Sequence, residues 1–437
     1  MRGSRLWVNR PSMSVTRPRV ATGRFSALAI ARNAFSFHEN WPQLWRTPEP
    51  QARYDVIIVG GGGHGLATAY YLAKEHGIRK VAVIEKGWLG GGNTGRNTTV
   101  VRSNYFYPES AHFYDFSLRL YEGLSRELGF NVMLSQRGQL TLAHSRHQLE
   151  MLARWATALE LNGIDGELLG AAEAREWLPL LNQTPEGRYP VWGALLQRRA
   201  GIARHDAVAW GYARAADALG VDLIQNCEVV GFLQEGERVV GVETTKGQIR
   251  APKVGIAVAG HSSVLAMKAG FRLPVTSFAL QAFVTEPLKP VLNCVVLSMA
   301  TGVYLSQSDK GELVIGGGLD LYPSYAQRGN LPTLQSVVEG LLELFPCFSR
   351  LRLMRQWAGI VDVVHDSTPI IDRAPVRGLY LNCGWGTGGF KAIPGGGFVF
   401  AHLLATDQPH ALAEGFTLAR FVSGALIDEA SASGIAH

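Results

Sequence analysis

YDVIIVGGGGHGLATAYYLAKEHG, residues 54–77, decides the fold. Tyr54–Val59 is a short, almost continuous apolar run, the pattern of a strand buried on both faces of a parallel sheet. Six residues, Gly60–Gly65, then form a loop containing five glycines and His64. The following LATAYYLAKEH is helix-forming, and Gly77 is a natural stop. KVAVIEK, Lys80–Lys86, reads as the second strand of the unit. Between a strand and a helix, Gly60-x-Gly62-x-x-Gly65 is the dinucleotide fingerprint, with Gly63 and His64 between its glycines. Gly60 permits the tight turn, Gly62 lets a pyrophosphate reach the backbone, and Gly65 lets helix and strand pack closely. The helix N-terminus offers amides and a positive dipole end to phosphates. Glu85 ends the second strand, placed to accept hydrogen bonds from ribose hydroxyls.

Fingerprint and acid do not separate a flavin from a nicotinamide dinucleotide; the segments that follow do. GGNTGRNTTVVRSNY, 91–105, is a polar glycine-bearing loop where a nicotinamide enzyme would continue with another strand and helix. Asn93, Thr94 and Arg96 can donate to phosphate oxygens, and Val100 and Val101 belong to the same expected contact surface. Far downstream, GWGTGGFK, 384–391, is a second glycine loop before a helix, so Gly386 and Gly389 can bring backbone amides to the edge of a flavin ring. Val229, in EVVGFLQ, completes the cofactor-binding set. The cofactor expected is FAD.

The chain has 437 residues and is 47% apolar, enough for two or three domains. The +6 formal charge does not point to nucleic acid: seven Arg and no acid precede Glu39, and the remainder is close to neutral. This arm superficially resembles an organellar transit peptide, and Met13 is an alternative start. The apolar Phe35, Phe37, Trp41, Leu44 and Trp45 instead suggest an arm that packs on a partner. No apolar run approaches the roughly 18 residues of a membrane span, and no signal peptide is visible. Cys227, Cys294, Cys347 and Cys383 lack CxxC spacing and read as buried free thiols, which fits the cytoplasm; no metal is expected.

The region 110–190 is mostly helical by pattern, with one strand near GQLTLAH. Residues 206–219 read as an Ala-rich helix, followed by a β-meander made of VDLIQ, EVVGFLQ, RVVGVETT and QIRAP. These pieces divide the chain into an N-terminal arm (1–53), a discontinuous FAD-binding domain (54–110, 200–275 and 355–425), a discontinuous β-sheet substrate domain (111–199 and 276–354) and a C-terminal tail (426–437). The fold class is α/β, with a Rossmann-like FAD domain.

Several long motifs carry a resemblance: EKGWLGGGNTGRNTTVVRSNY, SQRGQLTLAH, GIARHDAVAWGYAR, AGHSSVLA and LNCGWGTGGFKAIPGGGF, together with residues 54–77. They resemble the D-amino-acid-oxidase-type amine oxidases and, within them, the β subunits of heterotetrameric sarcosine oxidases, over nearly the whole chain from about Phe25. The resemblance implies a glutathione-reductase-type FAD domain and a complex with α, γ and δ subunits, the α subunit carrying NAD and tetrahydrofolate sites. It implies non-covalent FAD and an FMN bound covalently to the histidine of RHDAVAWG, which is His205. It further implies demethylation of sarcosine to glycine. Electrons would pass through FMN to O2 to give hydrogen peroxide, and formaldehyde or methylenetetrahydrofolate would form. By loop alignment Arg102 and Lys391 would hold the substrate carboxylate. Gly359 falls near the position where monomeric relatives attach FAD to a cysteine, and no counterpart of their oxygen-activating lysine is evident. Two alternatives stay open. One is a dimethylglycine or sarcosine dehydrogenase serving a carrier; the other is a flavin-holding electron-transfer subunit.

Overall fold

The structure is a computed structural model describing residues 27–429 except 38, 40–42, 183, 185 and 186. The arm before residue 27, Trp41 and the tail from 430 lie outside the described residues. Residues 1–44 and 45–437 form separate units. In the first, the helix Ala27–Phe35 leaves Leu28, Ile30 and Phe35 exposed.

In the second unit the strand Val56–Val59 runs parallel between Lys253–Ile256 and Val81–Ile84. Leu379–Cys383 and Asp222–Ile224 extend this parallel array on its two sides, and Ile370–Arg373 closes one edge antiparallel. Side chains alternate along a strand, so a continuous apolar run needs cover on both faces. Val56 and Ile58 face helices, packing with Leu66, Leu72 and Phe400. Ile57 and Val59 cluster instead with Val229, Val239 and Val242 of a three-stranded antiparallel sheet. The helical layer contains Gly63–Glu75, His205–Ala218 and Ile393–Thr406.

An eight-stranded sheet forms the other part. Its order runs from Leu353–Val364 through Val275–Pro287, Glu312–Pro323, Tyr304–Gln307, Val295–Ser298, Gln139–Ala143 and Gly193–Gln197 to Glu167–Gly170. The single parallel pairing is Val295–Ser298 beside Gln139–Ala143. Phe283, Ile315 and Phe345 pack beneath the helix Leu331–Leu344.

The structure departs from the sequence reading at several elements. VDLIQ is not part of the meander: Asp222–Ile224 pairs in parallel with Val81–Ile84, because a strand that follows a helix can return to the parallel sheet. The expected boundary at 355 cuts through Leu353–Val364, which pairs along Val275–Pro287 in the larger sheet. The helix Pro108–Leu128 buries Phe113, Leu118 and Leu124 in the same cluster as Ile393–Thr406, not with the larger sheet's core. Ile427 and Glu429, assigned to a tail, are buried. The Glu429 carboxylate accepts N–H bonds from Phe106 and Tyr107 at 3.0 and 2.9 Å, beside the positive end of the helix Pro108–Leu128. Cys347 is exposed, whereas the other three thiols are buried. No helix among the described residues is long and apolar enough to cross a membrane.

Candidate active site

Gly60, Glu85, Ala257 and Gly384 each stand just beyond the carboxyl end of a parallel strand, where open α/β sheets bind ligands. A cavity of about 640 Å³ opens there. Its wall includes Gly60, Gly62 and Glu85 on one side and Gln139, Leu280, Leu297 and Tyr304 of the eight-stranded sheet on the other.

The turn is built as the fingerprint requires. Gly60 has φ +109°, a conformation that side chains rarely adopt. A Cβ on Gly65 would lie 1.9 Å from the Gly60 carbonyl oxygen, so only glycine lets the helix sit this close to the strand. The helix starts at Gly63 without a side-chain cap from Gly62; its first amide is taken by Thr94, and the rest of its first turn can face an anion. Glu85 is held by two backbone donors: Oε2 accepts from Gly61 N at 2.8 Å and Oε1 from Gly87 N at 2.9 Å. Each carboxylate oxygen keeps acceptor capacity for ribose hydroxyls. These residues fit the adenosine and pyrophosphate of an FAD.

The polar loop after the second strand lines the cavity, but its side chains are used differently from the expectation. Asn93, expected as a phosphate donor, is engaged by the backbone of Ile360: its Oδ1 accepts from Ile360 N at 2.8 Å and its amide donates to Ile360 O. Thr94 Oγ1 accepts from Gly63 N at 2.9 Å. Arg96 donates to the carbonyls of Gly91 and Gly92. The loop is thus stapled to the turn and to the larger sheet. Val100 and Val229 line the cavity, whereas Val101 is core.

His205 is not on the cavity wall. It begins the helix His205–Ala218, its imidazole lies near the backbone of Gly95, and its Nδ1 is enclosed without a partner. Burial is the main reason its pKa lies below the ordinary histidine value. Gly95 belongs to the turn Asn93–Arg96, so the loop that lines the cavity also contacts His205.

Arg102 and Lys391 do meet on the cavity wall, although 289 residues separate them in the chain. Arg102 donates to Asn104 Oδ1 at 2.8 Å, and its guanidinium lies 4.7 Å from the Tyr105 ring centre. Lys391 Nζ donates to the Thr387 carbonyl at 2.9 Å. Burial, and then the charge of Arg102, holds Lys391 well below the ordinary lysine range. Among the described residues neither cation forms an ion pair with a carboxylate of the chain. The buried Glu429 carboxylate, whose pKa burial raises and the Arg102 charge lowers without direct contact, compensates in part. Two buried cations lacking a contacting carboxylate are costly unless an anion enters beside them.

Gly386 and Gly389 line the cavity in the same loop. Its start is fixed by Asp362, whose Oδ2 accepts from Gly384 N at 2.6 Å. Burial pushes the Asp362 carboxyl up to about 6, against the pull of backbone N–H donors from Gly384, Trp385 and Gly386. Asp362 was not singled out from the sequence; its signal there is an acid inside the apolar run GIVDVV. Gly359 lines the cavity beside it and offers no nucleophile for a covalent flavin link.

The family model described as FAD dependent oxidoreductase matches residues 55–403. A sarcosine oxidase subunit beta of Rhodobacter capsulatus is 55% identical over 414 residues, covering 95% of this chain and 100% of that protein. One from Arthrobacter sp. is 54% identical over 394 residues, covering 90% and 97%. Among solved structures, L-proline dehydrogenase from P. horikoshii superposes with a TM-score of 0.81 at 29% identity, covering 86% of this chain and 100% of that one. Glycine oxidase from Geobacillus kaustophilus gives 0.76 at 25% identity, covering 85% and 99%.

Proposed function

Since the chain belongs to the FAD dependent oxidoreductase family, we propose that it is the β subunit of a heterotetrameric sarcosine oxidase, working beside α, γ and δ subunits. It is a flavin-dependent amine oxidoreductase. The reaction proposed converts sarcosine to glycine, releasing the methyl carbon as formaldehyde or passing it to tetrahydrofolate on the α subunit. Bound FAD would take the two electrons from the carbon–nitrogen bond and send them through FMN to O2, giving hydrogen peroxide.

The observation that carries this reading is the pair Arg102 and Lys391. Neither forms a contact ion pair with a carboxylate among the described residues, and both stand on the wall of the cavity that begins at the dinucleotide turn. Two convergent cations recognise a carboxylate and orient it through charge-assisted hydrogen bonds. A zwitterionic N-methylamino acid held by that end presents its amine deeper in the site. The apolar wall of Leu280, Leu297 and Leu319 keeps the reacting end shielded from water.

Glu85 and the Gly60–Gly65 turn would hold FAD without a covalent bond, and His205 would carry FMN. The experiment is the visible spectrum of the purified complex before and after acid precipitation. One extractable FAD and one flavin retained on a peptide containing His205 support the proposal. A protein with all its flavin extractable, or with the link on another residue, refutes the FMN assignment.

A further inference from the structure

We propose that His64 is a positioning residue: by holding the carbonyl of Gly389 it fixes the loop that carries Lys391, and so sets the affinity of the site for a substrate carboxylate. The inference rests on the carboxylate reading of Lys391 given above.

Three successive carbonyls of this loop are each taken by a side-chain donor from elsewhere in the chain. His64 Nε2 lies 2.8 Å from Gly389 O, Tyr121 Oη donates to Phe390 O at 2.7 Å, and Ser117 Oγ donates to Lys391 O at 2.8 Å. Tyr121 and Ser117 come from one helix, Pro108–Leu128. His64 comes from the first turn of the fingerprint helix, so it ties the dinucleotide end of the cavity to the carboxylate end.

The imidazole has little freedom. It stacks on Trp385 with ring centres 4.5 Å apart, and a Cβ on Gly396 would come within 2.8 Å of its Nδ1. A carbonyl only accepts, so the proton sits on Nε2, and Nδ1 is enclosed without a partner among the described residues. Burial pushes its pKa down to about 4, so the ring is neutral and the contact does not titrate through the neutral range.

The test uses the assembled holoenzyme and acetate as a non-reacting carboxylate probe, its dissociation constant read from the perturbed FAD spectrum. His64→Phe keeps a ring against Trp385 but loses the donor; His64→Asn keeps an amide too short to reach Gly389; His64→Gln keeps a donor at the reach of Nε2. Phe and Asn should each weaken acetate binding by a factor on the order of ten, read per FAD-loaded chain, and Gln should stay within about threefold of the parent. The loss should be equal across the neutral pH range. Lys391→Met is measured in parallel. If Lys391→Met has no effect, the carboxylate reading fails and this inference with it. If Lys391→Met weakens acetate binding while His64→Phe and His64→Asn bind as the parent does, the positioning role alone is overturned. Should His64→Phe fail to fold, the contrast between Asn and Gln decides; equal affinities in those two variants overturn the proposal.

Discussion

Arg102 and Lys391 share one buried wall, 9% and 6% exposed, and burial, then the guanidinium, lowers the basicity of the amine. Their like charges are held together by the fold: Asn104 and the Tyr105 ring fix the first, and the Thr387 carbonyl fixes the second. An anion arriving beside them would relieve both the burial and the repulsion, which is the physical basis of the carboxylate site proposed above.

Replacing either cation by Met should therefore weaken carboxylate binding. A charge-assisted hydrogen bond of roughly 1.5–3 kcal/mol is at stake, or roughly a tenfold to hundredfold rise in dissociation constant. The pH dependence follows from the sign of the shift. Lys391 loses its proton below the ordinary lysine range, so affinity should fall as pH rises through that lowered pKa. In Lys391→Met the decline should flatten. Titration of acetate binding against pH, by flavin absorbance, checks both statements.

Glu85 is predicted to hold FAD through the adenosine ribose while accepting from Gly61 and Gly87. Glu85→Ala should lose FAD on dialysis, and Glu85→Gln should lose less, because an amide oxygen still accepts. Extractable flavin per chain measures this, and unchanged retention in Glu85→Ala would remove the residue from the site.

Asp362 gives the stability a specific pH signature. Its folded pKa of about 6 lies above the ordinary carboxylate value, so the folded state binds this proton more tightly than the unfolded chain. The stabilisation is complete below about pH 4 and is lost as pH rises through about 6. The difference in Tm between the parent and Asp362→Asn should change across that window and be constant above it. A difference independent of pH there would show that the carboxyl is not perturbed in the fold.

The dinucleotide unit was legible because its signals are local: the apolar run, the glycines and Glu85 lie within 32 residues. The pairing of Leu353–Val364 with Val275–Pro287 was not, because a β-strand's partner is set by tertiary contacts that its own residues do not encode. At the site, Arg102 and Lys391 came from a family resemblance, and only the fold puts them on one wall. Residue type alone makes Asn93 and Arg96 phosphate donors, yet nearby backbone carbonyls compete for the same N–H groups. The contacts of His64 with Gly389 and of Glu429 with Phe106 span more than 300 residues, and no local pattern announces them.

Replacing His205 is predicted to separate two half-reactions. Its ring contacts Gly95, in the turn that lines the FAD cavity, yet it lies off the cavity wall. In His205→Asn the acid-stable flavin should vanish while extractable FAD remains, and turnover with oxygen should drop steeply. Mass spectrometry of the yellow tryptic peptide from the parent identifies the attachment point directly; a flavin on another residue would reassign it.

Sarcosine is predicted to be oxidised at the FAD of this chain. Anaerobic titration of the assembled complex with sarcosine, followed by the visible absorbance of the flavin, tests it most directly. The FAD band should bleach in the parent and in His205→Asn, with a higher sarcosine requirement in Arg102→Met and Lys391→Met. An FAD band that sarcosine leaves unbleached, in a complex whose flavin dithionite reduces normally, would contradict it.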